Sequence, residues 1–588
     1  MPVRLAWVFF LGFFWVDLHA EPFIAPEVSS GWQVAETAQF QHWAVATAHP
    51  LASEAAHSML LAGGSAVDAA IAAQWVLTLV EPQSSGIGGG GFMLMADEQG
   101  LQAYDGRETA PAAANEGLFV YETGEPWAFR DAMLSPKAIG VPGLLAMLAQ
   151  AHQEQGQLPW AQLFEPALAL AEQGFELTPR LVHLLDVDFA LKSRAAAAEF
   201  FYDPDGQAWP VGTKFSNPAL AEIFRRLAAE GAEAFYQGEL AQALVAEVQE
   251  AGGILTLHDL QAYRAQQPQA LCTPWRDWVI CGFPPPSSGH ITLMQILLML
   301  DETELPRTLP QTSEQWANWI HYFTEASRLA FADRNRYLAD PAFVPAPAST
   351  WQALLEPDYL SARSQWIQTN SMQEAQAGQP GDQASVWAEM PTQEEYGTTH
   401  ISIVDGQGRA LALTSSIEAA FGTRFLHAGG TGLPGGYFLN NQLTDFSFQA
   451  TDAQGRLVAN RVEAGKRPRS SMAPTLVFSA EKGEWLGSLG SPGGAAIIPY
   501  VARTLWFLQE GSLDLAQILS LPHALSLNGP TLLEKDRFDG QVKQDLRTRQ
   551  HRLQEVELTS GVQIIWRHPD VGLQAAADPR REGRVLGR

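Results

Sequence analysis

Positive charge and cysteine are both scarce in this chain of 588 residues. Its 37 basic side chains face 64 acidic ones, a formal net charge of −27. That balance argues against nucleic acid and anionic membrane surfaces as partners, and it favours solubility. It also means that an anionic ligand must be met by positive charge gathered locally, so a buried arginine in a site would matter. Beyond the N-terminus no apolar run reaches spanning length, which excludes an internal membrane span. No long linker divides the chain, so two self-contained halves are not expected although the length exceeds a usual single domain. With 46% hydrophobic and 17% charged residues, the composition is that of a globular protein with ample core.

Two cysteines allow one disulfide at most. Cys272 and Cys281 lie symmetrically about Arg276-Asp277. If those two residues form a hairpin turn, the cysteines face each other at a non-hydrogen-bonded position, where side chains approach most closely. A structural disulfide is one reading and two free core thiols the other. The N-terminus points to an oxidising compartment. Arg4 precedes an apolar run from Leu5 to Val16, and Leu18-His19-Ala20 offers a small residue before Glu21. Residues 1–20 therefore read as a secretory signal peptide, too short for a comfortable membrane anchor, and the mature protein as periplasmic or secreted.

Along the chain, residues 43–48 read as a short apolar strand, and Gly63-Gly64 turns into an Ala-rich helical run from Val67 to Val80. The glycine run from Gly86 to Gly91 lacks the Lys-Ser/Thr of a phosphate loop and the spacing of a dinucleotide fingerprint. It reads as a tight loop bringing backbone close to a ligand or to packed strands. Helical periodicity dominates from Pro142 to Ala265 and returns at Ile291–Leu300 and Glu314–Leu338. Residues 368–395 are rich in Gln, Ala, Glu and Gly and are expected to be mobile. From Thr398 onward strands take over. Thr399–Val404 and Arg409–Ser416 flank Asp405-Gly406-Gln407-Gly408, a strong hairpin signal, and a second hairpin is expected at 475–478 and 485–489. Helices are expected at 499–509 and 513–521. Composition and periodicity support mixed α and β.

The junction at Tyr396-Gly397-Thr398-Thr399-His400 is the most informative stretch. Read alone, it is most simply the start of a strand. If the chain cuts itself between Gly397 and Thr398, however, Thr398 gains a free α-amine beside its own hydroxyl. Such an amine has a pKa of about 7.7–8.0, so nucleophile and base would belong to one residue.

Downstream of that junction come Thr414-Ser415-Ser416, Phe421-Gly422-Thr423, Asn440-Asn441-Gln442-Leu443-Thr444-Asp445, Gly465-Lys466-Arg467-Pro468-Arg469-Ser470-Ser471-Met472 and Gly490-Ser491-Pro492-Gly493-Gly494. Upstream lie Gly63-Gly64-Ser65-Ala66-Val67-Asp68, Asp105-Gly106-Arg107-Glu108, Pro284-Pro285-Pro286-Ser287-Ser288-Gly289 and Ala332-Asp333-Arg334. In this order, and over nearly the whole mature chain, they resemble the γ-glutamyltransferase (glutathione hydrolase) family of N-terminal-nucleophile enzymes. The resemblance implies an α/β fold with four αββα layers, two packed sheets flanked by helices. It implies self-cleavage into a large fragment, 21–397 with a mobile tail at 368–397, and a small catalytic fragment, 398–588, which together form a heterodimer. It implies no cofactor and no metal.

The resemblance also assigns roles. Thr398 would first attack the Gly397 carbonyl and later the γ-carbonyl of glutathione or another γ-glutamyl compound, with water, an amino acid or a peptide as acceptor. Ser416 matches a hydroxyl residue that hydrogen-bonds the nucleophile. Gly493 and Gly494 match the pair whose N–H groups hold the oxyanion. Arg107, Ser470 and Ser471 match the binders of the substrate α-carboxylate, for which guanidinium has a forked fit. Asp445 and Gln442 match the acceptors for the α-ammonium. A third acceptor, usually Asn, is Glu418 here, and this departure bears on the acyl group preferred. The alternatives are a same-fold amidase for another acyl group, such as a glutaryl β-lactam or poly-γ-glutamate, and a non-catalytic periplasmic binding protein. Two carboxylates awaiting an ammonium speak against glutaryl, and the intact Thr398, Arg107, Asp445, Gly493 and Gly494 speak against a binding protein.

Overall fold

Strand Thr399–Val404 shows why the chain builds layers. Ile401 and Ile403 project into a cluster shared with the apolar helix Ala66–Val80, whereas His400, Ser402 and Val404 project the other way. The strand is buried on both faces, so the period-2 alternation serves two different contacts. The computed structural model describes residues 31–381, 386–391 and 393–588, so the expected signal peptide at 1–20 lies outside the described residues.

Thr399–Val404 is central in a six-stranded antiparallel sheet whose order is 584–587, 44–47, 399–404, 410–416, 90–97 and 100–105. A seven-stranded antiparallel sheet runs 38–40, 572–577, 563–568, 485–490, 475–479, 278–282 and 271–275. The two sheets pack face to face through Ala46, Phe92, Leu94, Phe283, Ala412, Leu476 and Ile565. Helices Pro50–Leu61, Ala66–Val80 and Leu144–Gln155 cover the outer face of the first sheet. Helices Gly289–Asp301 and Ile497–Glu510 cover the outer face of the second, with Ser313–Tyr337 packed on the former. The order is helix, sheet, sheet, helix, the expected αββα arrangement.

The helix Ala66–Val80 starts on a capping box, Ser65 and Asp68 each bonding the other's backbone N–H. The glycine run serves packed strands: a Cβ on Gly89 would lie 2.1 Å from the Ser416 carbonyl oxygen, so only glycine allows that approach. Cys272 and Cys281 face each other across the hairpin at a Cα–Cα distance of 4.1 Å and are joined in a disulfide. Periodicity did not mark the hairpin 563–577, nor the return of Arg584–Gly587 to the edge of the first sheet. Described residues within 368–395 are tied to the body by hydrogen bonds. Gly378 N–H donates to Asp333 (2.7 Å), Ala388 N–H to the Leu457 carbonyl (2.9 Å) and Met390 N–H to the Asn335 carbonyl (2.9 Å). Among the described residues no helix is long and apolar enough to cross a membrane.

Candidate active site

Thr398 immediately precedes the central strand, two residues before His400, so strand alternation aims it between the sheets. Its hydroxyl donates to the carbonyl oxygen of Gly397 at 2.6 Å. Ser416, at the end of the neighbouring strand, donates to the same oxygen at 2.7 Å and accepts from the Glu418 N–H at 2.8 Å. Two hydroxyls therefore converge on one peptide carbonyl, that of the Gly397–Thr398 bond. The resemblance implied that Ser416 bonds the nucleophile; in the uncut chain its hydroxyl bonds the carbonyl that the nucleophile would attack. His400 is no competing base, because burial holds its imidazole down to about 3, neutral at any ordinary pH.

Gly493 and Gly494 lie where the chain leaves strand 485–490 for helix 497–510, with φ of 133° and 55°. A Cβ on Gly494 would meet the Glu395 carbonyl oxygen at 2.1 Å, so the segment that leads to Gly397 rests directly on this glycine. Of the residues expected in the site, Arg107, Thr398, Ser416, Glu418, Gln442, Asp445, Ser470, Ser471 and Gly494 line one cavity together with Gly397. Gly493 adjoins it, and the two cysteines lie elsewhere, on the edge hairpin of the second sheet.

One wall of the cavity is acidic. Glu418, at a left-handed φ of 75°, accepts from the Tyr396 N–H at 3.3 Å and from the Asn441 amide. Asp445 accepts from Gln442 at 2.8 Å and from the Arg107 guanidinium at 2.5 Å. Burial, reinforced by Asp445, pushes the Glu418 carboxyl well above its usual range. Asp445 is also raised, burial outweighing the pull of Arg107. Arg107 is itself fully engaged, since it donates to the Pro468 (3.1 Å) and Arg469 (2.9 Å) carbonyls as well. The residues expected to grip the α-carboxylate and the α-ammonium of a substrate are thus bonded directly to each other.

The side lined by Glu395 and Ser471 is backed by two buried arginines, to which sequence reasoning gave no role. Arg334, in the last turn of helix Ser313–Tyr337, donates to Ser471 and to the Glu395 carboxylate, both at 2.6 Å. Arg469 stands 3.8 Å from the same carboxylate. Ser471 also donates to Glu395, whereas the Ser470 hydroxyl accepts from the Met472 N–H at 3.1 Å. Both arginines belonged to recognised motifs; what the sequence could not supply was their convergence on one point. Outside the cavity, His321, Glu325 and His551, all of metal-ligand type, form a buried cluster. Each is already engaged: His321 with His551 at 2.8 Å, His551 with Thr531 at 2.7 Å, Glu325 with Arg328 at 2.6 Å.

Four layers with a buried Gly–Thr bond at the head of a central strand define an N-terminal-nucleophile hydrolase. The chain belongs to the γ-glutamyltransferase family of enzymes, for it matches the family described as "Gamma-glutamyltranspeptidase" over residues 52–588. It is 33% identical to a glutathione hydrolase proenzyme of Bacillus subtilis over 92% of this chain and 91% of that one. It is 30% identical to an acylase proenzyme, ACY 1, of a Pseudomonas strain over 92% of each. In fold it is similar to a cephalosporin acylase from Bacillus halodurans, with a TM-score of 0.79, 24% identity, and coverage of 97% of this chain and 99% of that one.

Proposed function

We propose that the chain cuts itself between Gly397 and Thr398 and then works as a γ-glutamyl hydrolase and transferase through an acyl-threonine. The observation that carries the reading is the pair of hydroxyls on the Gly397 carbonyl, Thr398 at 2.6 Å and Ser416 at 2.7 Å. In the first step the Thr398 oxygen adds to the Gly397 carbonyl carbon. The C–N bond breaks, the hydroxyl proton ends on the new α-amine, and an ester joins the fragments. Water hydrolyses the ester, leaving a carboxylate on Gly397 and a free hydroxyl on Thr398. In turnover the α-amine takes the hydroxyl proton as the oxygen attacks a γ-glutamyl amide, and returns a proton to the leaving amine. Water or an acceptor amine then resolves the ester.

Glutathione hydrolase and acylase are both names borne by relatives, so the acyl group needs an argument of its own. Glu418 and Asp445 form a buried acidic pair, which suits an acyl group bearing an ammonium and would penalise a glutaryl group without one. The processed protein is then a heterodimer of 21–397 and 398–588 in the periplasm or medium. Purified precursor should convert without protease into two associated fragments, the smaller starting at Thr398 by N-terminal sequencing and intact mass. Thr398→Ala should abolish both conversion and turnover. A single uncut chain that hydrolyses a γ-glutamyl anilide would overturn the mechanism.

A further inference from the structure

Glu395 lies three residues before the cut, and its side chain is held as a ligand would be. Arg334 Nη2 donates to one carboxylate oxygen at 2.6 Å, Ser471 donates to the other, and Arg469 Nη2 stands at 3.8 Å. Both guanidinium groups are buried, 3% and 4% exposed. Arg334 is fixed from behind by the Ser288 hydroxyl at 2.8 Å, and Arg469 donates to the Arg334 carbonyl at 3.2 Å. The cradle is therefore built from a helix end and a braced loop, and does not depend on Glu395 for its shape. Burial alone would raise the Glu395 carboxyl, but Arg334 and Arg469 outweigh it and hold the group below its usual range.

Cleavage severs Glu395 from the downstream fragment that carries Ser471 and Arg469. It also creates a carboxylate on Gly397 in the cavity already lined by Glu395, Glu418 and Asp445, and like charges in a buried site repel. Once Glu395 withdraws, two buried cations face an open cavity, a state that is costly unless an anion replaces it. Arg107 is differently placed, because Asp445 balances its charge at 2.5 Å whether or not the upstream segment stays.

We propose that Arg334, Arg469 and Ser471 form a carboxylate subsite, which Glu395 fills in the uncut chain and a carboxylate of the substrate takes over after cleavage. This deepens the γ-glutamyl reading and rests on it. The carboxylate comes either from the acyl group, as its α-carboxylate, or from the leaving group, and kinetics distinguish the two. Self-cut wild type and Arg469→Met are compared on a γ-glutamyl anilide and its α-carboxamide, and on glutathione and its C-terminal amide. KM should rise about 30-fold for the carboxylate member of one pair and less than about threefold for its amide. The pair that shows the contrast identifies the source, and equal changes within both pairs overturn the proposal.

A binding measurement covers the case in which Arg469→Met does not mature or wild type proves inactive on every γ-glutamyl compound. The second of these would sink the functional reading by itself. In the uncut Thr398→Ala chain, Glu395→Ala leaves a gap the size of acetate. Acetate should raise the Tm of Thr398→Ala/Glu395→Ala and not that of Thr398→Ala, with acetamide inert on both. An acetate response that is the same in the two chains overturns the subsite irrespective of the reaction catalysed.

Discussion

The two walls of the cavity handle charge in opposite ways. On the side of Glu395, Arg334 and Arg469 behind it meet a carboxylate of the chain itself, and the charges are matched: Glu395 is held below its ordinary range. On the acidic wall, Glu418 and Asp445 meet one guanidinium between them, and both are pushed up by burial first, with Asp445 adding to the rise of Glu418 and Glu395 adding to that of Asp445 against the pull of Arg107. Among the described residues, the upstream segment offers Glu418 the Tyr396 N–H and no cation. The uncut chain thus carries a stand-in for a substrate carboxylate and none for a substrate ammonium. Two carboxyls that burial makes costly to ionise are suited to discriminate for a cation, because only a charged ligand offsets that cost.

The strongest test of whether the acidic wall also takes part in cutting is Ser416→Ala. Ser416 links the Gly397 carbonyl to the Glu418 N–H, at 2.7 and 2.8 Å. Losing one donor to a developing oxyanion typically costs about 10²–10³ in rate. Self-cleavage of freshly refolded chain, followed on gels, should slow by about that factor. An unchanged rate would confine Ser416 to the fold and separate the acidic wall from processing.

Arg107→Lys comes next in size. The lysine keeps the charge beside Asp445 but loses the fork that also reaches the Pro468 and Arg469 carbonyls. KM for a γ-glutamyl anilide should rise with a loss of about 1.5–3 kcal/mol, as for a charged hydrogen bond, while self-cleavage continues. An unaltered KM would show that Asp445 does not need Arg107 to hold its place. Glu418→Gln sharpens the comparison further. Glutamine mimics the protonated form that burial favours, so the uncut chain should fold and cut itself normally. KM should increase about tenfold for γ-glutamyl substrates and by less than about threefold for des-amino, glutaryl analogues. Equal loss on both would make Glu418 a structural residue and dissolve the contrast between the walls.

How much of this was legible beforehand differs between scaffold and site. Alternation in Thr399–Val404 and Ala410–Ser416, with the turn at 405–408, announced the central hairpin, because both faces of each strand are buried against defined layers. The hairpin at 563–577 was not announced: Ala575, Ala576 and Ala577 give a weak pattern, and its burial is set by strands distant in sequence. In the site, motif order located the residues at the Gly397 carbonyl, since these sit on strand ends whose positions follow from pairing. Arg334 and Arg469 could not be read in the same way. They are 135 residues apart, and nothing local in either segment tells that both point at the Glu395 side chain.

The smallest expected effect concerns Glu108, which extends the acidic wall behind Arg107. Its carboxyl is fully buried between Gly90 and Gly140, its oxygens make no hydrogen bond, and the Arg107 guanidinium stands 3.6 Å away. Burial pushes it up from an ordinary value of 4.5 to about 8, against the pull of Arg107 and with Asp445 and Asp105 adding to the rise. The folded chain then holds a proton that the unfolded chain has released at intermediate pH. Stability falls with pH wherever the folded state binds more protons, so this group stabilises fully below about pH 4.5, and its contribution drains away as pH climbs toward 8. Glu108→Gln removes the titration but keeps the shape, and should flatten the decline of Tm between those limits. A Tm that falls just as steeply in Glu108→Gln would place the sensitivity elsewhere, with Glu418 and Asp445 as the remaining raised carboxyls of the wall. A flattened profile with unchanged KM would instead confine the titration of Glu108 to the fold and leave substrate binding to Glu418 and Asp445 in front of it.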